Sequence, residues 1–195
     1  VMAEWDNYYQ MGNFLRSINV CAHRIADLVK SLKSYARQDD ETIHTVDLHE
    51  GLEDTLVIFE NRLKRHHVIK EYSALPRLNC QPIALQQVWT NLIANALDAV
   101  EEPGEIHIST HYTPDSEQQK IDIVIEDNGK GIPLEQQQKV FELNYTTKRE
   151  GNFGLGIGLS VCQQIIHQHD GTIRVESEPG EYTRMIVTLP LNQNH

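Results

Sequence analysis

The stretch KIDIVIEDNGKGIP, residues 120–133, joins a clear strand pattern to a glycine-containing turn. Apolar and polar residues alternate up to Asp127, which is typical of a half-buried strand. The chain then turns through Gly129 and Gly131, where the absence of a side chain tolerates a close approach to the backbone. The pattern predicts that Asp127 presents a carboxylate at a strand terminus, where it can accept an N–H from a ligand. An ordinary polar turn is the alternative, because Asp-Asn-Gly is common in loops.

The neighbouring segments predict further strands interleaved with helices. Strand patterns occupy residues 66–73, 105–112, 171–177 and 183–190. There are three helical patterns: the first begins near residue 47, the second covers about 83–100, and the third follows the glycines at 151–158 and ends near 168. Asp47 with Glu50 three residues later forms a capping-box arrangement at the first of these helices. Most of the strands are joined as hairpins, so this order predicts an α/β fold, a two-layer sandwich of a mixed β-sheet and helices.

Residues 11–35 predict a long N-terminal helix. Their apolar residues form an unbroken three–four alternation, which is a heptad seam: Met11, Phe14, Ile18, Cys21, Ile25, Leu28, Leu32 and Tyr35. Additional apolar residues beside the seam favour a multi-helix bundle, and a helix that packs on its own domain is the alternative. We therefore predict an incomplete bundle helix over residues 1–43 and a compact domain over residues 44–195.

Composition excludes several classes of protein. The formal net charge of −11 argues against binding to nucleic acid or to an anionic membrane. The three cysteines are far apart and form no Cys-x-x-Cys pair, so neither a disulfide framework nor a zinc site is expected, and a reducing, cytoplasmic setting is indicated. No apolar run approaches the roughly 18 residues of a membrane span. We expect these properties whether the chain stands alone or is part of a longer protein.

The segment GNFGLGIGLS, residues 151–160, places glycines directly before a helical pattern. No lysine follows them in the register of a P-loop, and the spacing of Gly154, Gly156 and Gly158 is a poor match to a dinucleotide fingerprint. Bare N–H groups at a helix start nevertheless favour an anion. A flexible loop with a close helix contact is the alternative.

A third segment, NLIANALDAV, places Asn91, Asn95 and Asp98 on one face of a predicted helix among apolar neighbours. Buried amides need partners, and a metal ion with phosphate oxygens would supply them. Asparagines satisfied within the core are the alternative.

Taken in chain order, NLIANALDAV, EDNGKGIP and GNFGLGIGLS resemble the nucleotide-binding boxes of the sensor histidine kinases, members of an ATPase superfamily that includes gyrase and a heat-shock chaperone. The resemblance covers residues 44–195 and includes VFELNYTTK, which is similar to a phenylalanine-containing segment of the family's ATP lid. It implies the Bergerat-type ATP-binding fold. Residues 11–38 resemble the second helix of the family's dimerisation bundle, which implies a homodimer.

Residue by residue, the resemblance implies a site for ATP and Mg²⁺. Asn95 would hold the Mg²⁺ between the phosphates, with Asn91 and Asp98 beside it. Asp127 would pair with the adenine amino group, near Gly129, Gly131, Ile132 and Thr183. The phosphates would contact Thr147, Lys148, Gly154, Leu155, Gly156, Ile157, Gly158 and Leu159. Asn91, Asn95 and Lys148 are the candidate catalytic residues. Tyr182 departs from the glycine usual before Thr183, and Gln136, Gln137 and Gln138 are expected to be solvated.

The resemblance also implies a reaction. Superfamily members that hydrolyse ATP carry a water-activating glutamate where this chain has Asn91, whose amide cannot take that proton. We therefore expect transfer of the γ-phosphate to a histidine on a bundle helix that this chain lacks, and then to an aspartate of a response-regulator receiver domain. A nucleotide-gated dimeric clamp and a serine protein kinase of the same superfamily are the alternatives.

None of the ten histidines is expected to accept phosphate. His49 with Glu50 imitates the family's His-acidic pair but lacks the following proline, so His49 is interpreted as a solvated helix start. His23 is followed by Arg24 and also lacks the proline. The remaining histidines have no acidic neighbour of this kind and are expected to be exposed, and metal binding by the paired ones is the alternative.

Overall fold

The computed structural model describes residues 42–114, 119–143, 145 and 156–191. Seven strands lie in this part of the chain: β1 His44–Val46, β2 His67–Tyr72, β3 Leu78–Cys80, β4 Glu105–Thr113, β5 Lys120–Asp127, β6 Thr172–Glu178 and β7 Tyr182–Pro190. Five of them form one sheet in the order β2–β4–β5–β7–β6. β2 is parallel to β4, and the other neighbours are antiparallel. The predicted mixed sheet is confirmed.

Helices cover one face of this sheet. They are α1 Leu48–Ile58, α2 Glu60–Leu63, α3 Pro82–Ala99, α4 Leu134–Gln137 and α5 Gly158–Gln168. Asp47 caps α1, as the sequence predicts, and its carboxylate accepts a hydrogen bond from the His49 N–H at 2.9 Å. Pro82 begins α3, where its missing N–H leaves no helical hydrogen bond unmade. α3 packs between α1 and α5 and also contacts β5, so it is the central helix.

The hydrophobic core lies between α3 and the sheet. The predicted face of α3, with Leu85, Val88 and Leu92, is buried, together with Trp89. On β5 every second residue is buried, beginning with Ile121. Each fully buried aliphatic side chain of this kind stabilises the fold by about 1.5–3 kcal/mol. Because the alternation continues to the end of the strand, Asp127 faces the helices and not the open side of the sheet.

Three short elements were not predicted. β1 and β3 pair antiparallel as a separate two-stranded sheet, and α4 lies in a segment that the sequence indicates only as polar. Strands of three residues and helices of four are too short to show a period. The predicted bundle helix lies within residues 1–41, outside the described residues, so the domain division after residue 43 stays a prediction. No helix of the described part is long and apolar enough to cross a membrane.

Candidate functional site

Asp127 is a buried carboxylate at the end of the central strand. Its side chain is 5% exposed, and Oδ1 accepts a hydrogen bond from the Gly129 N–H at 3.0 Å. Burial raises the pKa of Asp127 to about 6; the hydrogen bond from Gly129 opposes this shift and the charge of Glu126 adds to it. Within the described residues, no donor is bonded to Oδ2. The group can therefore accept one further hydrogen bond from a ligand.

Thr183 lies directly opposite Asp127 on the neighbouring strand. The two residues are paired in the antiparallel register of β5 and β7, and Thr183 is also 5% exposed. Tyr182 begins β7 without disturbing the hairpin, because Gly180, with φ of 81°, supplies the left-handed residue of the turn. The structure thus brings two of the predicted adenine contacts together, and the departure at Tyr182 leaves the turn intact.

Gly129 and Gly131 are both required by the packing of the protein itself. A Cβ on Gly129 would lie 2.5 Å from the carbonyl oxygen of Ala99 at the end of α3. A Cβ on Gly131, where φ is 64°, would lie 2.1 Å from the carbonyl oxygen of Glu178. The resemblance assigned both glycines to the purine, but these backbone contacts account for them without a ligand.

Two residues that sequence reasoning missed hold the loop after Asp127. The Ser177 hydroxyl accepts a hydrogen bond from the Ile132 N–H at 2.7 Å, and the Gln137 side-chain amide donates to the Ile132 carbonyl at 2.9 Å. The prediction that all three glutamines are solvated was therefore wrong for Gln137, which also donates to the Ser177 carbonyl at 2.7 Å. No local sequence pattern reports such a contact, because Gln137 and Ser177 are 40 positions apart.

The polar residues of α3 have three different environments. The Asn91 amide nitrogen donates to the Gly158 carbonyl at 3.3 Å and to the Cys162 thiol at 3.6 Å, so it links α3 to α5. Asn95 is half-buried, and its side chain forms no hydrogen bond with any described residue. The carboxylate of Asp98 accepts a hydrogen bond from the Arg62 guanidinium at 2.7 Å. Asn95 is therefore the amide that this part of the structure leaves available.

The first turn of α5 lies beside Asn91. Gly156 has φ of 67°, and Ile157 is the N-cap residue but provides no side-chain hydrogen bond. The leading N–H groups of an α-helix have no partner within the helix, and they favour an anion. A Cβ on Gly158 would lie 3.6 Å from the Asn91 side chain, an ordinary contact. Ile157 and Leu159 are half-buried, whereas Thr147, Lys148, Gly154 and Leu155 lie outside the described residues.

His49 and His169 depart most clearly from the expected exposure. The ring of His49 stacks on Tyr72 with 4.5 Å between centroids, and its Nε2 lies 3.0 Å from the Thr110 hydroxyl, so His49 is not a solvated helix start. His169 is 3% exposed. Its Nε2 accepts a hydrogen bond from the Gln81 N–H at 3.1 Å, and Nδ1 donates to the Ile165 carbonyl at 2.7 Å. Internal contacts therefore occupy both rings.

Comparison with known proteins identifies the family. Residues 80–193, more than half of the chain, match the family described as histidine kinase-, DNA gyrase B- and HSP90-like ATPase. The histidine-protein kinase AtoS of Escherichia coli K12 is 36% identical over 171 residues, which cover 86% of this chain and 27% of AtoS. The sensory kinase SasA of Thermosynechococcus vestitus is 37% identical over 143 residues, covering 73% and 37%. The chain spans about a quarter to two fifths of the length of these relatives.

Solved structures agree with this result. The nucleotide-free catalytic domain of histidine kinase ThkA superposes with a TM-score of 0.68 at 27% identity, covering 77% of this chain and 96% of that domain. ThkA in complex with the response regulator TrrA gives a TM-score of 0.69 at 25% identity, covering 90% of this chain and 50% of ThkA. The chain therefore belongs to the histidine kinase-, DNA gyrase B- and HSP90-like ATPase family, with the fold of a sensor histidine kinase's ATP-binding catalytic domain.

Proposed function

We propose that this chain is the ATP-binding catalytic portion of a two-component sensor histidine kinase. The observation that carries the proposal is the buried carboxylate of Asp127, which has one oxygen bonded to Gly129 and lies beside Thr183. An amino group that donates to the second oxygen would form a charge-assisted hydrogen bond in a site largely shielded from water. The adenine amino group is such a donor, so this end of the site is the proposed adenine pocket.

The opposite end suits phosphate and a divalent ion. ATP would supply the γ-phosphoryl group, and the protein would contribute position and charge neutralisation. Asn95 has an amide oxygen free of hydrogen bonds from the described residues, which fits a single protein ligand to Mg²⁺. In the described part of the chain no cluster of three His, Cys, Asp or Glu residues could hold a metal. We propose that phosphate oxygens together with Asn95 would hold the ion.

Asn91 supports transfer of phosphate over hydrolysis of ATP. A hydrolytic site needs a base that takes a proton from water, and a carboxamide is not basic at neutral pH. Both hydrogens of the Asn91 amide nitrogen are used by Gly158 and Cys162, so the side chain joins two helices. A histidine imidazole as acceptor requires little help from a base. We propose that this histidine lies on a bundle helix and that a receiver-domain aspartate takes the phosphate next.

Two protein partners follow from the same proposal. The apolar seam of residues 11–35 supports a homodimer through an N-terminal bundle helix. ThkA, which has a similar fold, is seen in complex with a response regulator, and this supports a receiver domain as the second partner. A cytoplasmic location would give access to both ATP and that partner.

Calorimetric titration with Mg²⁺-ATP tests the proposed site. Asp127→Asn should weaken binding of ATP and adenosine by about 10- to 100-fold, because a charged acceptor is lost. Asn95→Ala should weaken Mg²⁺-ATP but leave adenosine unaffected. Asp122→Asn is the matched control, since Asp122 lies on the same strand and alternates to the other face. Unchanged ATP binding in both site variants would refute the assignment.

Incubation with radiolabelled ATP tests the reaction. The 195-residue chain alone should remain unlabelled, and a polypeptide that carries the family's histidine helix should acquire acid-labile label in its presence. Acid-labile label on the isolated chain would show that one of its own histidines is the acceptor. Acid-stable label on the substrate would instead indicate a serine kinase, and rapid hydrolysis without an acceptor would indicate a nucleotide-gated clamp.

A further inference from the structure

Gln137 and Ser177 together bond both backbone polar groups of Ile132. Its amide nitrogen donates to the Ile132 carbonyl at 2.9 Å and to the Ser177 carbonyl at 2.7 Å. The Ser177 hydroxyl accepts a hydrogen bond from the Ile132 N–H at 2.7 Å. The loop after Asp127 is thus held against β6 through both the N–H and the carbonyl of Ile132. These distances are those of well-formed hydrogen bonds.

Ser177 also reaches the strand that carries Thr183. Its hydroxyl donates to the Tyr182 carbonyl at 2.6 Å and lies 3.3 Å from the Thr183 hydroxyl. Since Ser177 has one hydroxyl proton, that proton serves Tyr182, and Thr183 is left as the donor in the longer contact. Ser177 therefore lies at the junction of the loop, β6 and β7.

We propose that Gln137 and Ser177 are positioning residues for the adenine pocket. The inference rests on the proposed function, because Ile132, Asp127 and Thr183 are the groups assigned to the purine. Neither Gln137 nor Ser177 need touch the nucleotide. They hold Ile132 at a set distance from the paired Asp127 and Thr183, and so set the width of the pocket. A loss of this clamp should weaken adenosine and ATP by the same factor, because the phosphate end does not depend on it.

Matched substitutions at neighbouring glutamines test the clamp. Gln137→Met keeps the volume of the side chain but removes both donors, whereas Gln137→Glu places a carboxylate opposite two carbonyl oxygens. Gln138→Met and Gln138→Glu are the controls, since Gln138 is exposed and its side chain makes no hydrogen bond with a described residue. Each is titrated calorimetrically with adenosine and with Mg²⁺-ATP at a temperature where all variants are folded.

The expected order of affinity for adenosine is wild type equal to both Gln138 variants, then Gln137→Met, then Gln137→Glu. Gln137→Met should lose about fivefold, the scale of one hydrogen bond, for adenosine and for ATP alike. In a transfer assay the same variant should raise KM for ATP and leave kcat unchanged, because ground state and transition state lose the same contact. A general loss of structure would lower kcat as well.

Ser177→Ala provides a second, independent variant. It removes the acceptor of the Ile132 N–H and should reduce the affinities for adenosine and ATP at least as far as Gln137→Met. The inference is overturned if wild-type protein binds adenosine and both Gln137→Met and Ser177→Ala bind it equally well. It is also overturned if only ATP, and not adenosine, is affected. Failure of the wild-type chain to bind either ligand would refute the proposed function, and with it the pocket that these residues position.

Discussion

The two glycine groups of the site look alike in the sequence but differ in the structure. Gly129 and Gly131, at the proposed adenine end, leave no room for a Cβ because the backbone of the protein lies within 2.5 Å of where it would be. Gly158, at the proposed phosphate end, leaves ordinary space, and a Cβ there would lie 3.6 Å from Asn91. The first pair is explained by folding alone. Gly158 is not, so a ligand is the better explanation for a bare backbone at α5.

The same contrast holds for the polar groups. At the adenine end, Gly129 is bonded to Asp127, and the Ile132 backbone is held by two side chains. At the phosphate end, Asn95 and the leading N–H groups of α5 have no side-chain partner among the described residues. Internal contacts therefore hold the proposed adenine end, whereas the proposed phosphate end keeps polar groups that a ligand would bond.

Gly131→Ala should have the largest effect of these substitutions on the stability of the protein. The alanine would have to adopt φ of 64° and would place Cβ 2.1 Å from the Glu178 carbonyl oxygen, so the free energy of unfolding should fall by about 3 kcal/mol or more. Gly180→Ala is the control, because φ is 81° but nothing lies within 4 Å, and a loss of about 1 kcal/mol is expected. Urea unfolding of both variants measures the difference, and equal losses would contradict the packing explanation.

Asp127→Asn should weaken nucleotide binding but increase the free energy of unfolding, by an amount that depends on pH. The folded-state pKa of about 6 lies above the ordinary value of 3.8, so the native state binds the proton more tightly than the unfolded state. The stability that Asp127 contributes is thus fully present below pH 4 and is lost as the pH rises through 6. At pH 7.5 the buried charge disfavours folding, and the nucleotide-free Asn variant should be more stable than wild type by on the order of 2 kcal/mol.

Urea unfolding of wild type and Asp127→Asn at pH 7.5 and pH 4.5 measures this effect. Other titrating groups are common to both proteins, so their contributions cancel in the difference. The advantage of the variant should shrink markedly at the lower pH. A difference that does not change with pH would mean that Asp127 is not desolvated in the folded protein.

Asn91→Ala tests whether the proposed phosphate end acts independently of the proposed adenine end. It removes the donor to the Gly158 carbonyl and the Cys162 thiol, which fixes the first turn of α5 against α3. We expect ATP affinity to fall by about fivefold and adenosine affinity to stay the same, because the lost contact lies away from Asp127. Calorimetry with both ligands decides this, and an equal loss for adenosine would show that the two ends are not independent.

Gly158→Ala should have the smallest effect on folding. The position is helical and has space for a methyl group. The free energy of unfolding should therefore fall by less than about 0.5 kcal/mol, or rise by up to about 1 kcal/mol. ATP affinity should nevertheless fall if phosphate approaches this backbone. Unfolding and ATP titration of the same variant provide the comparison. A stable variant with undiminished ATP binding would remove the ligand explanation for Gly158.

The sequence predicts the fold well wherever an element is long. β5 carries a regular alternation, and α3 is an 18-residue helix with one apolar face; both lie within a few residues of their expected bounds. β1 and β3 could not be found, because three residues show no period and their pairing joins positions 32 to 36 apart. Local patterns report what a segment is, whereas the pairing of distant segments depends on the folded chain.

The site shows the same limit. Asp127 and Thr183 are adjacent, as the resemblance implies, and the Asn95 side chain is left available. Gln137 and His169, in contrast, were expected to be exposed to solvent, but both make hydrogen bonds inside the protein. Gln137 bonds to the backbone of Ser177, 40 positions away, and His169 to that of Gln81, 88 positions away. Polar residues of this kind carry no sign of burial in the sequence, since the partner that stabilises them is brought close only by the fold.

We propose that one nucleotide spans the proposed adenine end, at Asp127 and Thr183, and the first turn of α5. Amide chemical shifts in NMR spectra of isotopically labelled protein, titrated with Mg²⁺-ATP, test this proposal. We expect the amides of Gly129, Gly131 and Thr183 to shift together with those of Gly158 and Leu159, and adenosine to shift only the first three. Shifts confined to the far edge of the sheet, at β2 and β4, or no shifts at all, would contradict it.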